Sequence, residues 1–197
     1  MAHIIITGIA GFIIFHLVDI AAIKRVPLLK PLTWVLGCGL VAYAVAAATL
    51  TGDKLALPLW LVITGWAVLA LSLAQLVYSL FINLPFRKTY VERGVGEELI
   101  TTGLYAVVRH PGVYGLGTLM LAAAVVSGSR LLFAATPVWM AVDVIVVVIQ
   151  DRVFFDRMYP GYPAYRKTTP MLIPTWHSLA AFAAGFTLTN IKSRRTP

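Results

Sequence analysis

Two clusters of residues carry the polar chemistry of this chain. The first closes the run Leu99-Ile-Thr-Thr-Gly-Leu-Tyr-Ala-Val-Val-Arg-His-Pro111. A turn at Thr102 and Gly103 leads to Tyr105, and Arg109 and His110 stand directly before Pro111. Proline suits a first helical turn, so Pro111 predicts a helix start. The N-terminus of a helix offers free N–H groups and a partial positive charge. With Arg109 and His110 beside it, that end is suited to hold a carboxylate or a phosphate. The plainer alternative is that Arg109 anchors the chain at a membrane interface and His110 is an exposed loop residue.

The second cluster is Gln150-Asp-Arg-Val-Phe-Phe-Asp-Arg-Met-Tyr-Pro-Gly-Tyr-Pro-Ala-Tyr-Arg166. It holds Asp151 and Asp156, and Tyr159, Tyr162 and Tyr165 recur every third residue, followed by Pro170 and Pro174. A juxtamembrane anchor would account for tyrosines at headgroup level. It would not account for Asp151 or for the Tyr159-Pro-Gly-Tyr-Pro163 turn, which predict a segment folded back over a site.

The elements that position these clusters follow from composition. The chain has 197 residues, of which 59% are hydrophobic and 12% charged, with a mean hydropathy of +0.85. A soluble domain carries about 25% charged residues. A soluble domain this short could not bury so much apolar surface, so a water-soluble globule and a disordered chain are both excluded. The single Cys38 excludes a disulfide framework and a multi-cysteine metal site, and no metal is expected. A bilayer core needs about 20 apolar residues in a helix. Ile4 to Ile23, Leu32 to Thr51, Leu57 to Ile82, Gly112 to Ser129 and Leu131 to Gln150 meet that need. The expected fold is an all-α integral membrane helical bundle of about five transmembrane helices. The first stretch lacks the basic n-region and cleavage site of a signal peptide. Gly37-Cys-Gly imitates a dinucleotide fingerprint, but it lies in mid-span with no strand before it. A single membrane domain over residues 1–197 is expected. Its parts are a three-span half (1–98), a catalytic and cofactor-binding half (99–175), and an interfacial helix with a basic tail (176–197).

The net charge of +8 is unusual for so apolar a chain. With five crossings, fourteen of the sixteen Lys and Arg residues fall on one side, and only Lys54 and Arg130 on the other. The positive-inside rule makes the first side cytoplasmic, with the N-terminus outside and the C-terminal segment cytoplasmic. In a bacterium this would be the inner membrane, with the site facing the cytoplasm. Residues 176–191 are short for a sixth span, and crossing would export Lys192, Arg194 and Arg195. They are read as an interfacial or re-entrant helix. The expected partner is the lipid bilayer, with no nucleic acid. Oligomeric state is left open.

Taken together, the two clusters resemble a family. Thr-x-Gly-x-Tyr-x-x-x-Arg-His-Pro is similar to the signature of the isoprenylcysteine carboxyl methyltransferases and their bacterial relatives. Gln150-Asp151 occupies the position of that family's paired acids, Tyr162-Pro-Ala-Tyr165 matches Tyr-x-x-Tyr, and Ile173-Pro174 matches the ending. The likeness spans Leu99 to Pro174. It implies an integral membrane methyltransferase that uses S-adenosylmethionine, with a lipophilic or small-molecule methyl acceptor as a further partner. The implied cofactor residues are Thr102, Gly103, Tyr105, Arg109, His110, Pro111, Tyr114, Asp151, Tyr162 and Tyr165. Arg109 and His110 would take the cofactor carboxylate, and would also be catalytic. Asp151 would accept from its ammonium or ribose, and the tyrosines would stack on adenine or face the sulfonium. The chain departs from the pattern in several places. One acid replaces two, Met158-Tyr159 replaces an aromatic-Gly pair, and Val113 stands where a Tyr is usual. No Arg lies one turn before Asp151, which tilts the acceptor from an isoprenylcysteine carboxylate towards a small thiol or a phospholipid amine.

Ionisable residues inside a membrane are functional suspects by default. His16 and Asp19 share one face of the first span, and Asp143 lies well inside the fifth. Asp19 is expected to pair with Lys24 or Arg25. Asp143 either hydrogen-bonds a neighbouring helix, perhaps at His16, or serves as a catalytic proton acceptor at the acceptor pocket. Gln75 and Tyr78 are read as packing residues. Two other functions stay open: an NADPH-dependent membrane reductase of the sterol-reductase type, and a small transporter with a proton path through His16, Asp19 and Asp143.

Overall fold

The computed structural model describes residues 1–26, 28–95 and 98–193. Arg194 and Arg195, assigned above to the charged face, lie outside the described residues. The described residues form an all-helical bundle with no strands. Its long helices are α1 (Ala2–Lys24), α2 (Leu29–Leu50), α3 (Leu59–Val77), α6 (Pro111–Ser127) and α7 (Arg130–Ile149). Short helices α4 (Phe86–Tyr90), α5 (Leu104–Val107), α8 (Phe155–Met158) and α9 (Tyr162–Thr168) gather at the charged end, followed by α10 (Trp176–Ser193). Four helical segments are long and apolar enough to cross a membrane: α1, α2, Leu59–Ile82 and Arg130–Met158. α6 is shorter, at 17 residues. At 1.5 Å per residue it is about 25 Å long, a little under a bilayer core of about 30 Å.

The helices assort as two close pairs, α1 with α2 and α3 with α6, with α7 packed on both α1 and α6. In lipid no hydrophobic force drives helices together, so close contact between small residues must do so. A Cβ at Gly37 of α2 would lie 2.4 Å from the Phe15 backbone nitrogen, so α1 and α2 touch there backbone to backbone. Away from the charged end, Phe12, Ala44, Met120, Leu132 and Trp139 form the apolar core. Trp139 is fully buried, and its indole N–H donates to the Ile5 carbonyl at 2.9 Å.

The uncharged end is closed by two short loops that hold each other. Leu55 N–H donates to the Gly128 carbonyl (2.7 Å) and Arg130 N–H to the Asp53 carbonyl (3.2 Å). Ser129 caps α7 by accepting from Leu132 N–H, and its own hydroxyl donates to the Ala48 carbonyl of α2 at 2.6 Å. At the charged end, α3 and α7 each finish in a π-helical turn, Tyr78–Ile82 and Gln150–Phe154. The wider turn changes the helical phase at a position where function often sits. Here it turns both Gln150 and Asp151 into the protein. The described part of α10 packs against α5, with Trp176 exposed. It lies at the charged end of the bundle.

Gly37→Ala should force α1 and α2 apart and lower stability by about 1–3 kcal/mol. Gly39→Ala enters open space and should leave the thermal midpoint in detergent unchanged or slightly higher. Equal losses in the two variants would contradict this packing.

Candidate functional site

Arg109 is the centre of the charged end. It is buried, and its Nε and Nη2 donate to the two oxygens of Asp151 at 2.7 and 2.9 Å. Its Nη1 donates to the carbonyls of Arg166 (3.2 Å) and Thr169. Four of its five N–H groups are thereby used within the protein. Such a fork requires guanidinium; an ammonium cannot reproduce it. Asp151 also accepts from the Tyr162 hydroxyl. Burial opposes the charge of Arg109, but its hydrogen bonds and charge contact with Asp151 outweigh this and hold it more firmly protonated. Burial pushes the Tyr162 phenol up, and the Asp151 hydrogen bond and charge push it further, so it stays a neutral donor.

The backbone beside Arg109 is strapped down by the segment after α9. Arg109 N–H donates to the Pro170 carbonyl (3.0 Å), His110 N–H to the Met171 carbonyl (3.3 Å), and the Tyr114 hydroxyl to the Leu172 carbonyl. The fold-back expected after the seventh-helix acids is therefore present, and it lies across the start of α6. His110 is the N-cap residue of α6 without a side-chain capping bond. Its ring stacks on Phe155 at 5.7 Å. Its Nε2 is 3.5 Å from Asp151 and has no hydrogen-bond partner among the described residues.

The turn before Tyr105 depends on a residue that sequence reasoning passed over. Asn83, just past the π turn of α3, accepts from Leu104 N–H at 3.0 Å and donates to the Thr102 carbonyl at 3.2 Å. Gly103 has φ +62°, and a Cβ there would meet Asn83 Oδ1 at 2.2 Å, so only glycine fits. The Tyr165 hydroxyl donates to the Tyr105 carbonyl, and the Tyr105 hydroxyl to the Ser79 carbonyl at 3.3 Å. Burial raises the Tyr105 and Tyr165 phenols as well.

These contacts frame one cavity of about 590 Å³. Its inner end is apolar, walled by Phe12, Val41, Val45, Leu116, Met120 and Ala123. Its outer end is polar, with His16, Asp19, Lys30, Arg109, His110, Asp143 and Gln150 in the wall. The first residues of α6, Pro111 to Val113, open onto it. Of the residues expected to form the site, Tyr105, Arg109, His110, Pro111 and Asp143 line this cavity. Thr102, Gly103, Tyr114, Asp151, Tyr162 and Tyr165 are not in its wall and instead brace the residues that are. His16 Nε2 and Asp143 Oδ1 are hydrogen-bonded at 3.2 Å, the neighbouring-helix bond considered above. Asp19, expected to pair with Lys24 or Arg25, accepts from Gln150. Gln75 donates to the Pro111 carbonyl at 2.9 Å, tying α3 to the start of α6 as a packing residue should. Lys30 is one of the fourteen basic residues that fall on the charged side. It is buried, donates to the carbonyls of Lys88 (2.7 Å) and Gly94 (3.0 Å), and closes the cavity on that side.

The described residues thus form an all-helical bundle of membrane-spanning length with an amphiphilic cavity at its charged end. The model of one family, phospholipid methyltransferase, matches residues 60–161. That is just over half of the chain, and it includes Arg109, His110, Asp143 and Asp151. The protein is an integral membrane methyltransferase. It belongs to the phospholipid methyltransferase family, within the isoprenylcysteine carboxyl methyltransferase-like membrane enzymes. No curated protein and no solved structure matches the chain.

Removing one partner of a buried ion pair leaves an uncompensated charge and costs about 3–5 kcal/mol. Asp151→Asn should therefore lower unfolding stability in detergent by that order, and Tyr162→Phe by about 1 kcal/mol. The double variant Arg109→Met/Asp151→Leu should recover part of the loss. Strictly additive losses at the two positions would show that the pair is not coupled.

Proposed function

We propose that this enzyme transfers the methyl group of S-adenosylmethionine to a lipophilic, membrane-partitioned acceptor. The cavity carries the proposal: its polar end meets water-exposed loops and its apolar end reaches the bundle core. Its size falls in the usual range for small-molecule sites, about 300–1,000 Å³. A methyl donor of this kind supplies an electrophilic carbon on a cationic sulfur, and the protein has only to position and desolvate the partners.

The residues present suit such a donor. Its carboxylate would lie against the start of α6, where His110 Nε2, 3.5 Å from Asp151, has no hydrogen-bond partner among the described residues and a helix N-terminus leaves its first backbone N–H groups without intrahelical partners. Asp19 and Gln150 at the same end could accept from and donate to its ammonium and ribose hydroxyls. Tyr105 and Tyr159 offer aromatic faces in the wall. Arg109, Asp151 and Tyr162 serve as the frame that fixes the α6 end, rather than as free arms awaiting the ligand.

The acceptor would come from the bilayer. Residues of both α2 and α3 line the cavity, yet α3 packs on α6 rather than on α2. A lipophilic acceptor therefore has a side on which to approach. Arg87, Lys88, Arg93, Arg157, Arg166 and Lys167 lie at the same end of the bundle as the polar mouth. By the positive-inside rule that end is cytoplasmic, where the donor is made.

S-adenosylhomocysteine should bind the detergent-purified protein. At a hundredfold excess over Kd it should add about 2.7 kcal/mol of stability. NADPH should leave the thermal midpoint where it is. His110→Ala should weaken binding about tenfold, read by calorimetry. Stabilisation by NADPH alone would replace this reading with a reductase.

A further inference from the structure

We infer that His16 is the proton acceptor of the methyl transfer, held in its working tautomer by Asp143, and that the acceptor is a nucleophile that arrives carrying its proton: a thiol or an amine. The inference rests on the methyltransferase reading above and adds to it the identity of the base and the class of acceptor.

His16 and Asp143 come from α1 and α7, 127 residues apart, and meet at 3.2 Å through His16 Nε2. Each is more than nine-tenths buried, and both line the cavity. With Asp143 as the carboxylate, which only accepts, the hydrogen between them is on Nε2. That leaves Nδ1 with a lone pair, and it has no hydrogen-bond partner among the described residues. A buried ring nitrogen without a partner is costly unless something else meets it. An acceptor X–H in the cavity would do so.

A structural histidine would be expected to satisfy both ring nitrogens. Here one nitrogen is tied and the other is buried without a hydrogen-bond partner among the described residues, on a side chain in the cavity wall, and a small turn of the ring would offer it to an acceptor as a general base. His16 also lies outside residues 60–161, so the family match does not supply this role.

The step balances. The acceptor's X–H proton passes to His16 Nδ1 as X forms a bond to the methyl carbon. The donor's S–CH₃ bond breaks, and its electron pair stays on sulfur. One positive charge leaves the sulfonium and one appears on the imidazolium, beside the Asp143 carboxylate. The proton then has a polar route outward. Asp19 lies one turn from His16 towards the charged end, Gln150 lies two turns from Asp143, and the two are hydrogen-bonded. A carboxylate acceptor arrives already ionised and would need no such base.

The test uses the full-length protein, labelled S-adenosylmethionine and four acceptor probes: dodecanethiol, dodecylamine, 4-octylthiophenol and N-acetyl-S-farnesylcysteine. The arenethiol is largely ionised in neutral water, so it needs little help from a base. Label should enter dodecanethiol or dodecylamine. In His16→Gln and in Asp143→Asn, kcat on that acceptor should fall about 100-fold or more. KM and the affinity for S-adenosylhomocysteine should stay within about threefold, which also shows that the variants fold. Turnover of 4-octylthiophenol should stay within about fivefold. Equal losses on the arenethiol would mean a structural role and overturn the inference. So would transfer to the farnesylcysteine carboxylate that is indifferent to both variants, or no transfer to either proton-bearing probe by protein that binds S-adenosylhomocysteine. Failure of the unaltered protein to bind S-adenosylhomocysteine would instead overturn the cofactor reading on which the inference rests.

Discussion

The buried pair of Arg109 and Asp151 is the constraint on which the charged end of this protein depends. It joins the stretch just before α6 to the π turn that ends α7. Through Nη1 the same guanidinium holds the carbonyls of Arg166 and Thr169, at the end of α9. Three separate stretches of chain therefore meet on one side chain. Desolvating two charges is costly, and a pair of this kind is poor evidence for stability as such. What it gives is position, because the planar fork has one good geometry. That position sets where the N-terminus of α6 points.

The cavity follows from this frame. The helix pairs α1–α2 and α3–α6 are packed tightly on themselves, and α7 bridges them. The core of Phe12, Met120, Leu132 and Trp139 fills the end of the bundle remote from the charges. Towards the charged end the helices leave a space that no side chain fills, and the strap over Pro170 to Leu172 braces the α6 end of it. The polar groups in its wall are of two kinds. Some are fully engaged and hold the shape, as Arg109 and Gln75 do. Others have an atom to spare, as His110 and His16 do. The second kind is where a ligand has something to gain.

Much of this was legible in the sequence. Apolar run lengths gave the helices to within a few residues, since burial in lipid leaves little choice but a helix for an apolar stretch. Arg109, His110 and Asp151 stood out because charged residues at a membrane edge need a reason. What was hidden is instructive. The π turns at Tyr78–Ile82 and Gln150–Phe154 have no residue signature, and they decide that Asp151 turns inward to Arg109. Asn83 looked like an ordinary loop residue, and its role depends on a contact across 21 residues. Tyr162 and Tyr165 each use their hydroxyl to brace a neighbour, a contact that their spacing in the sequence does not show. Spacing along the chain shows which residues share an end of the bundle. It does not show which of them reach one another first.

A structure of the protein in a lipid nanodisc with S-adenosylhomocysteine bound tests the central idea most directly. The ligand should lie in the cavity, its carboxylate at His110 and the Gly112 N–H and its sulfur turned towards the apolar end, with Arg109 still forked onto Asp151. A ligand seated outside this cavity would contradict it. So would an Arg109 that has left Asp151 to take the ligand's carboxylate itself.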